Sequence, residues 1–360
     1  MRVAVLGSGN GGCAVAFDFA AHGYEVSLFD FDTFPTSIAA IRAQGGIHAT
    51  GQLDGFAPVA YAGHDLATAL QGAALIFAVG PAYSTEPFAA ACRPHLLPGQ
   101  TVVVCPGSCM GSIAFKQAAG LDLEDDRIIV AETSTLPYAV RLLEPGRIHV
   151  FLKLRAGLFM AALPAQKTMT AVEQVRAVYP AMTPADNVLQ TTLQNGNPVI
   201  HPAVSLLNAA LIERTAGDFY FYEEGVTPAV GRLIRSVDLE RIALGKALGL
   251  TIIAEPELGR IQGYMSTATY DQGYAEAPGF RGIRAQSSLA YRYFHEDVGY
   301  GLVFLQSLGN QIGVPTPTIS AIIQLTAQLM ERDYAGEARR TMAALGLAGY
   351  SVADLRRLLG

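Results

Sequence analysis

Three glycines spaced Gly7-x-Gly9-x-x-Gly12 follow directly on the apolar run Arg2-Val-Ala-Val-Leu6, and this arrangement restricts the fold more than any other feature of the chain. The run reads as a short buried strand. Beyond the glycines, Cys13 to Ala21 suits a helix stopped by His22-Gly23, and Glu25-Val-Ser-Leu-Phe29 reads as a second strand with Asp30 at its C-terminal end. Gly7 permits a tight strand-to-helix turn. Gly9 puts no side chain in the way of a group approaching that turn, and Gly12 lets the helix pack close to the strand. Strand, glycine turn, helix, strand and acid, in that order, form a βαβ unit suited to holding the pyrophosphate of a dinucleotide on the N–H groups at the helix start.

The acid also discriminates between cofactors. A carboxylate at Asp30 accepts hydrogen bonds from ribose hydroxyls and repels a 2′-phosphate. Asp32 adds negative charge, and residues 24–41 hold no Lys or Arg, so NAD is favoured over NADP. Further apolar strands are expected at 74–79, 101–105 and 127–131, each ending in a polar or Gly/Pro tip. Ligands of parallel sheets bind beyond the carboxyl ends of the strands. The tips at 80–84, 106–109 and 132–135 are therefore candidates for the nicotinamide half of the site, with Pro81 and Ser134 among them. Residues 146–165 look like extra strands extending the sheet, and 168–178 like one more helix. The expected fold is an α/β Rossmann-type nucleotide-binding domain over residues 1–185, followed by a mostly α-helical substrate and dimerisation domain over 186–360.

At 360 residues and 51% hydrophobic content the chain can fill two cores. Its net charge of −6 supplies no general field for nucleic acid. No secretory signal is evident, and no apolar run reaches the roughly 18 residues of a membrane span. Cys13, Cys92, Cys105 and Cys109 have no zinc-ligand spacing; they read as free thiols of a cytoplasmic protein without a metal. In the second half, 188–214 is helical in pattern but interrupted by Pro198 and Pro202, which should kink or restart the helix. Thr227-Pro228 and Thr316-Pro317 each look like a cap followed by a proline at the first helical position. The helices they open are expected to run to about 248 and 332. Residues 288–308 also read as helical, and 252–284 as a loop-rich excursion.

His201 lies in an apolar run with Asn197 and Asn208 on roughly the same helical face. Such a cluster inside a core needs partners for every member. It can be a satisfied structural imidazole or a catalytic one. The second polar concentration is Arg292-Tyr-Phe-His-Glu-Asp297. Asp297 could orient a histidine, and Arg292 could hold a substrate carboxylate by its two-pronged guanidinium. His295 and Asp297 are too close in sequence to face each other on a helix, so a pair drawn from two segments, such as His201 with Asp297, is easier to build.

The chain resembles the opine dehydrogenases, the octopine/nopaline dehydrogenase family, and within it the bacterial N-(1-carboxyethyl)-norvaline dehydrogenase type. The resemblance rests on Gly7-Ser-Gly-Asn-Gly-Gly12, Glu132-Thr-Ser134, Asn195-Gly-Asn-Pro-Val-Ile-His-Pro202, Tyr222-Glu-Glu-Gly-Val-Thr-Pro228 and Arg292-Tyr-Phe-His-Glu-Asp-Val298. It implies a reductive condensation. An α-keto acid such as pyruvate and the amino group of an L-amino acid form an imine, which NADH reduces to a secondary amine with two carboxylates. The resemblance places the catalytic histidine at His201 and its aspartate at Asp297. It places a substrate-carboxylate contact at Arg292 and the asparagine before the family's glycine pair at Asn10, and it implies a homodimer; Asn197, Tyr222 and Thr227, within the segments that carry the resemblance, are further candidates for substrate contact. The chemistry itself calls for an imidazole, because dehydrating the carbinolamine takes a proton donor that works near neutral pH. Two other readings are a hydroxy-acid or polyol-phosphate dehydrogenase of the same two-domain plan and a cofactor-binding regulator without turnover. The absence of lysine between Lys167 and Lys246 disfavours lysine-based relatives of that plan. Tyr220, Phe221, Tyr222, Tyr264 and Tyr270 hint at an apolar or aromatic amino acid, though packing accounts for them equally well, and the amino acid stays open.

Overall fold

A computed structural model describes residues 1–360, which divide into two compact units, Met1–Thr191 and Thr192–Gly360. The boundary expected at 185 compares with this division at Thr191/Thr192.

The first unit opens with β1 (Arg2–Leu6), α1 (Asn10–Ala21), β2 (Glu25–Phe29) and α2 (Pro35–Gln44). Then come β3 (Gly46–Gly51), β4 (Gly55–Pro58), β5 (Tyr61–Gly63), α3 (Leu66–Leu70), β6 (Ala73–Val79), α4 (Thr85–Cys92), β7 (Thr101–Cys105), α5 (Gly111–Ala119) and β8 (Ile129–Thr133). It ends with β9 (Tyr138–Glu144), β10 (Arg147–Lys153), β11 (Leu158–Leu163), α6 (Thr168–Val175), β12 (Met182–Pro184) and α7 (Val188–Leu193), which crosses into the second unit. The main sheet runs β12-β11-β8-β7-β6-β1-β2-β5. From β5 to β8 all neighbours are parallel, and the order reverses beside β1, as in dinucleotide-binding sheets. Successive residues of these strands feed both faces. Ala4, Leu6, Ile76, Ala78, Val102 and Val104 pack into one core with Phe88 and Phe115, while Val3, Val5, Leu75, Phe77 and Val103 are buried on the other side. Strands covered on both faces need this continuous apolar character. Each fully buried large side chain contributes about 1.5–3 kcal/mol.

The strands expected over 146–165 do not all extend this sheet. β11 does, antiparallel to β8, but β10 pairs with β9 and β3 in a separate sheet of order β4-β3-β10-β9. The small sheet packs on α1 through a buried carboxylate. Asp18 receives the hydroxyl of Tyr138 at 2.7 Å and the ammonium of Lys153 at 2.6 Å.

The second unit is helical: α8 (Asn197–Leu207), α9 (Ala209–Thr215), α10 (Pro228–Ala247), α11 (Glu255–Gln262), α12 (Gln272–Ala275), α13 (Arg292–His295), α14 (Val303–Ile312), α15 (Pro317–Met330) and α16 (Val352–Leu359). The chain breaks at 194–196 and at Asn208, and Pro202 stays inside α8, so the interruption falls at the Asn-Gly turn and not at the second proline. The stretch expected to be loop-rich holds α11 and α12. Between α13 and α14, Asp297–Leu302 forms a π-helical turn, a rare widening that needs local support. Thr227 caps α10, its hydroxyl accepting the Val230 N–H at 3.4 Å. Thr316 makes no such bond. The Glu240 carboxylate from α10 caps α15 instead, accepting the N–H groups of Thr318 and Ile319 at 2.7 and 2.9 Å. No helix is long and apolar enough to cross a membrane.

Candidate active site

In the first unit the glycine turn is shaped by where a side chain cannot go. Gly7 has φ +106°, and a Cβ there would lie 2.2 Å from the Val79 carbonyl oxygen. A Cβ on Gly12 would lie 1.8 Å from the Gly7 oxygen. Gly9 is different: a Cβ would meet nothing within 4 Å, so this side of the turn is open. Gly9 is the N-cap of α1, and no side chain caps that helix. Two closed positions and one open one, at a bare helix start, fit a pyrophosphate. Asn10 is the first residue of α1, and its side-chain oxygen accepts the Leu142 N–H at 2.7 Å. Asp30 is buried at the end of β2. One carboxylate oxygen accepts both the N–H and the hydroxyl of Ser8 at 2.7 Å; the other accepts the Phe31 N–H at 2.9 Å. The acid of the motif thus also braces the turn.

Pro81 and Ser134 sit at the carboxyl ends of β6 and β8. Pro81 accepts the Ser84 hydroxyl at 2.7 Å, and Ser134 is buried with its hydroxyl accepting the Phe159 N–H at 3.2 Å. Between these tips the β7–α5 loop is backbone-strained: Ser108, Cys109 and Met110 have φ of 39°, 64° and 61°, a left-handed run that non-glycine residues adopt only under constraint. Part of that constraint is Glu132, which lies fully buried. It accepts the Ser112 N–H and hydroxyl at 2.8 Å and the Thr191 hydroxyl at 2.6 Å, and it packs against Gly107, where a Cβ would come within 2.6 Å of its carboxyl carbon. Glu132 was visible in the sequence only as part of a motif; nothing in its spacing signals that it is a hub. All four cysteines are buried and outside any disulfide, and burial pushes the Cys13, Cys92 and Cys105 thiols up to about 12.

In the second unit His201 and Asp297 meet. The imidazole Nδ1 lies 2.8 Å from a carboxylate oxygen of Asp297, and both side chains are buried. The carboxylate accepts, so Nδ1 carries the hydrogen. The other nitrogen, Nε2, lies 3.1 Å from the Tyr222 hydroxyl. The local folding explains this encounter. Gly301, on the π-helical turn that begins at Asp297, lies so close to α8 that a Cβ would come within 2.6 Å of the Pro198 ring. The missing side chain brings the Asp297 turn onto the helix that carries His201. The Tyr222 segment is held by Asn208, whose amide donates to the carbonyls of Val204 at 2.9 Å and Gly225 at 3.0 Å. Asn208 is the C-cap of α8 and ties down a loop.

Tyr293 covers the imidazole face, ring centres 3.9 Å apart and planes at 23°. Tyr222 stacks on Phe280 at 4.2 Å and 14°, and Phe280 on Tyr264 at 4.8 Å and 17°. Neither Tyr293 nor Phe280 was a sequence-level candidate, because stacking partners are chosen by tertiary packing. Arg292 is half-buried. Its Nε and Nη2 both contact the Glu296 carboxylate at 2.8 Å, and Glu296, with Asp297 and Tyr293 adding to it, raises the guanidinium pKa above its ordinary value against the opposing effect of burial. Asn197 is half-buried on the first turn of α8. Thr227 has its hydroxyl in the α10 cap, and Tyr270 donates to Asp238 at 2.7 Å. His295 faces Tyr334, at 2.9 Å, and not His201.

The model of the NAD/NADP octopine/nopaline dehydrogenase alpha-helical domain matches residues 184–330, the stretch holding His201, Tyr222 and Asp297. The chain is 36% identical over 354 residues to an opine dehydrogenase of Arthrobacter sp. (strain 1C), covering 98% of this chain and 97% of that protein. It is 27% identical to protein ocs of Agrobacterium tumefaciens (strain Ach5), covering 99% of each. A solved octopine dehydrogenase structure with NADH and L-arginine shares the fold, with TM-score 0.77 at 16% identity and 96% of each chain covered. A likeness of this extent, running through both units at 36% identity, makes the chain a member of the opine dehydrogenase family, NAD-linked oxidoreductases acting on CH–NH groups.

Proposed function

We propose that this chain joins an α-keto acid of the pyruvate kind to the amino group of an L-amino acid, reducing the imine with NADH, and runs the reverse oxidation, with His201 as the acid–base group. The observation that carries this reading is the buried His201–Asp297 contact at 2.8 Å. A carboxylate on Nδ1 fixes the tautomer, leaves Nε2 for chemistry and offsets the charge of an imidazolium. The stacked Tyr293 ring adds an electron-rich face against that cation. In the synthetic direction the imidazolium delivers the proton that lets the carbinolamine hydroxyl depart as water; in the reverse direction the neutral imidazole takes a proton from water attacking the imine. Bound at the glycine turn, the dinucleotide contributes hydride transfer at its nicotinamide.

Gly7, Gly9, Asn10 and Gly12 form the turn for the pyrophosphate. Asp30 takes the adenosine ribose and favours NADH over NADPH, and Pro81 and Ser134 border the nicotinamide half. Arg292 binds a substrate carboxylate on the side of its guanidinium that Glu296 leaves open, and Asn197, Tyr222 and Thr227 line the substrate region. The domain reading follows: residues 1–185 serve the dinucleotide and 186–360 the substrate. The reading extends to a homodimer in the cytoplasm. The exposed Leu325 and Leu329 stand one helical turn apart on α15, and four cysteines without a disulfide suit a reducing compartment.

The test is NADH oxidation with pyruvate, with and without a mixture of L-amino acids, followed by mass identification of the product. Oxidation that requires both substrates and yields their condensed, reduced sum is expected. Oxidation with the keto acid alone would return the chain to the hydroxy-acid dehydrogenases.

A further inference from the structure

Every polar atom of the His201 ring is already occupied. Asp297 holds Nδ1, the Tyr222 hydroxyl holds Nε2, Tyr293 lies on a ring face and Phe221 stands edge-on with ring centres 6.1 Å away. The residue is buried in the middle of α8. For the imidazole itself to reach a substrate, Tyr222 would have to swing aside. That ring is pinned: it stacks on Phe280 and meets Phe221 edge to face at 5.0 Å and 86°. Its backbone is pinned as well, since the Val226 N–H donates to the Tyr222 carbonyl at 3.1 Å and the neighbouring Phe221 N–H donates to Ile283 at 2.8 Å.

We propose that the Tyr222 hydroxyl is the group that exchanges protons with the substrate, and that His201 acts through it. This rests on the reading of His201 as the acid–base group. When the imidazole is neutral, the phenol O–H donates to Nε2. When it is an imidazolium, Nε2–H donates to the phenol oxygen and the phenol hydrogen turns outward. In the dehydration step the carbinolamine C–O bond breaks and the nitrogen lone pair forms the C=N bond. The phenol proton passes to the departing oxygen, giving water, while the imidazolium proton moves from Nε2 to the phenol oxygen. The imidazole ends neutral and the substrate ends as the protonated imine, so charge and atoms balance. The reverse direction retraces these transfers. The His201–Tyr222 contact is kept throughout, and the stack that fixes Tyr222 becomes the device that holds its oxygen on Nε2. The charged groups around the pair are Asp297 on Nδ1 and Arg292, which is coupled to Glu296 and Asp297.

The experiment compares the full-length wild type with Tyr222→Phe and His201→Ala, using NADH, pyruvate and a mixture of L-amino acids across pH. Tyr222→Phe keeps the ring and its stack and deletes only the oxygen. Its kcat is expected to fall about 10²-fold, with the KM for NADH and the melting temperature unchanged and the wild-type pH dependence of kcat lost. A kcat within threefold of wild type overturns the relay. So does a loss expressed as raised KM for pyruvate and amino acid with the pH profile kept, which would make Tyr222 a binding residue. His201→Ala separates the two levels: if it abolishes turnover while Tyr222→Phe does not, only the relay falls, and if it retains turnover, the reading of His201 falls with it. Should Tyr222→Phe not fold, 3-fluorotyrosine at position 222 preserves ring and hydroxyl but makes a stronger acid. The relay then requires a shifted pH profile, and an unshifted one overturns it.

Discussion

The glycine turn is shaped by side chains that are absent; the surroundings of His201 are shaped by side chains that fill every position. The turn is contiguous, with Gly7, Gly9 and Gly12 in one passage from β1 to α1. The histidine cluster draws on three segments, its two principal members 96 residues apart in sequence. The first site is governed by backbone geometry and volume, so substitutions there should act on folding or on cofactor fit. The second is held by hydrogen bonds, and under the proposed function substitutions there should act on turnover with the fold intact.

The largest effect that sharpens this contrast comes from comparing two glycines. Gly12→Ala drives a methyl group to 1.8 Å from the backbone oxygen of Gly7, which cannot give way without moving the turn. Loss of soluble protein, or a collapse of the melting transition, is expected. Gly9→Ala meets no atom within 4 Å in the protein, so its melting temperature should stay within about 2 °C of wild type, a change worth less than ~1 kcal/mol. Its NADH affinity, read by fluorescence titration, should nevertheless fall at least about tenfold, because the methyl group occupies the room left for the pyrophosphate. Equal melting of Gly12→Ala and wild type, or undiminished NADH binding by Gly9→Ala, would undo the geometric account of the turn.

Next in size is the partner of the histidine. Asp297→Asn keeps shape but removes the charge and lets an amide N–H face Nδ1, which favours the wrong tautomer. A kcat loss of roughly 10²–10⁴-fold is expected, with NADH affinity unchanged. A variant with near-normal kcat would show that the 2.8 Å contact is structural only.

The two sites also differ in how far the residues announce them. The βαβ order, the glycine spacing and Asp30 were legible because they are local: each constraint acts within a few residues of its neighbour. The main strands were legible because being buried on both faces leaves an unbroken apolar run. The sheet to which β10 belongs was not, since an alternating strand says that it pairs but not with which partner. In the helical half, polar residues placed where a core should be apolar marked His201 and Asp297 as candidates and the family resemblance paired them, but the assembly around them was not legible. The π-helical turn, the close approach at Gly301 and the stacking of Tyr293 and Phe280 are set by packing between distant segments. Glu132 escaped for the same reason.

Glu255 provides a third test, on stability. Burial raises its carboxyl to about 8, with Asp238 adding to the rise and Arg241 opposing it. One of its oxygens has no hydrogen-bond partner, and the other would lie 2.7 Å from a Cβ on Gly196, just before α8. The unfolded chain releases this proton near the ordinary value of 4.5, while the folded chain holds it up to about 8. Between those values the unfolded state binds fewer protons, so stability falls as pH rises through that window and levels off above it. The contribution is on the order of a few kcal/mol. Urea melts from pH 5 to 8 should show the decline, and Glu255→Gln should flatten it. A wild type as stable at pH 8 as at pH 5, or a variant with the same slope, would show that Glu255 does not set it. The outcome bears on the comparison because the effect arises beside the N-cap of the histidine helix and should leave NADH affinity unchanged.

The smallest effect tests whether Asp30 belongs wholly to the cofactor or partly to the turn. Its carboxylate already accepts the Ser8 N–H and hydroxyl and the Phe31 N–H, so in the protein alone it works as a brace. Asp30→Ala removes both the brace and the ribose acceptor, whereas Ser8→Ala removes one hydrogen bond and leaves the acceptor in place. If the carboxylate reads the ribose, Asp30→Ala should weaken NADH more than NADPH, changing their affinity ratio about tenfold, equivalent to ~1.4 kcal/mol. Ser8→Ala should leave that ratio unchanged, because a brace has no means of sensing a 2′-phosphate. Equal losses for the two dinucleotides in Asp30→Ala would assign the acid to the turn alone, and discrimination would then have to come from charge elsewhere around β2, with Asp32 the nearest carboxylate in sequence.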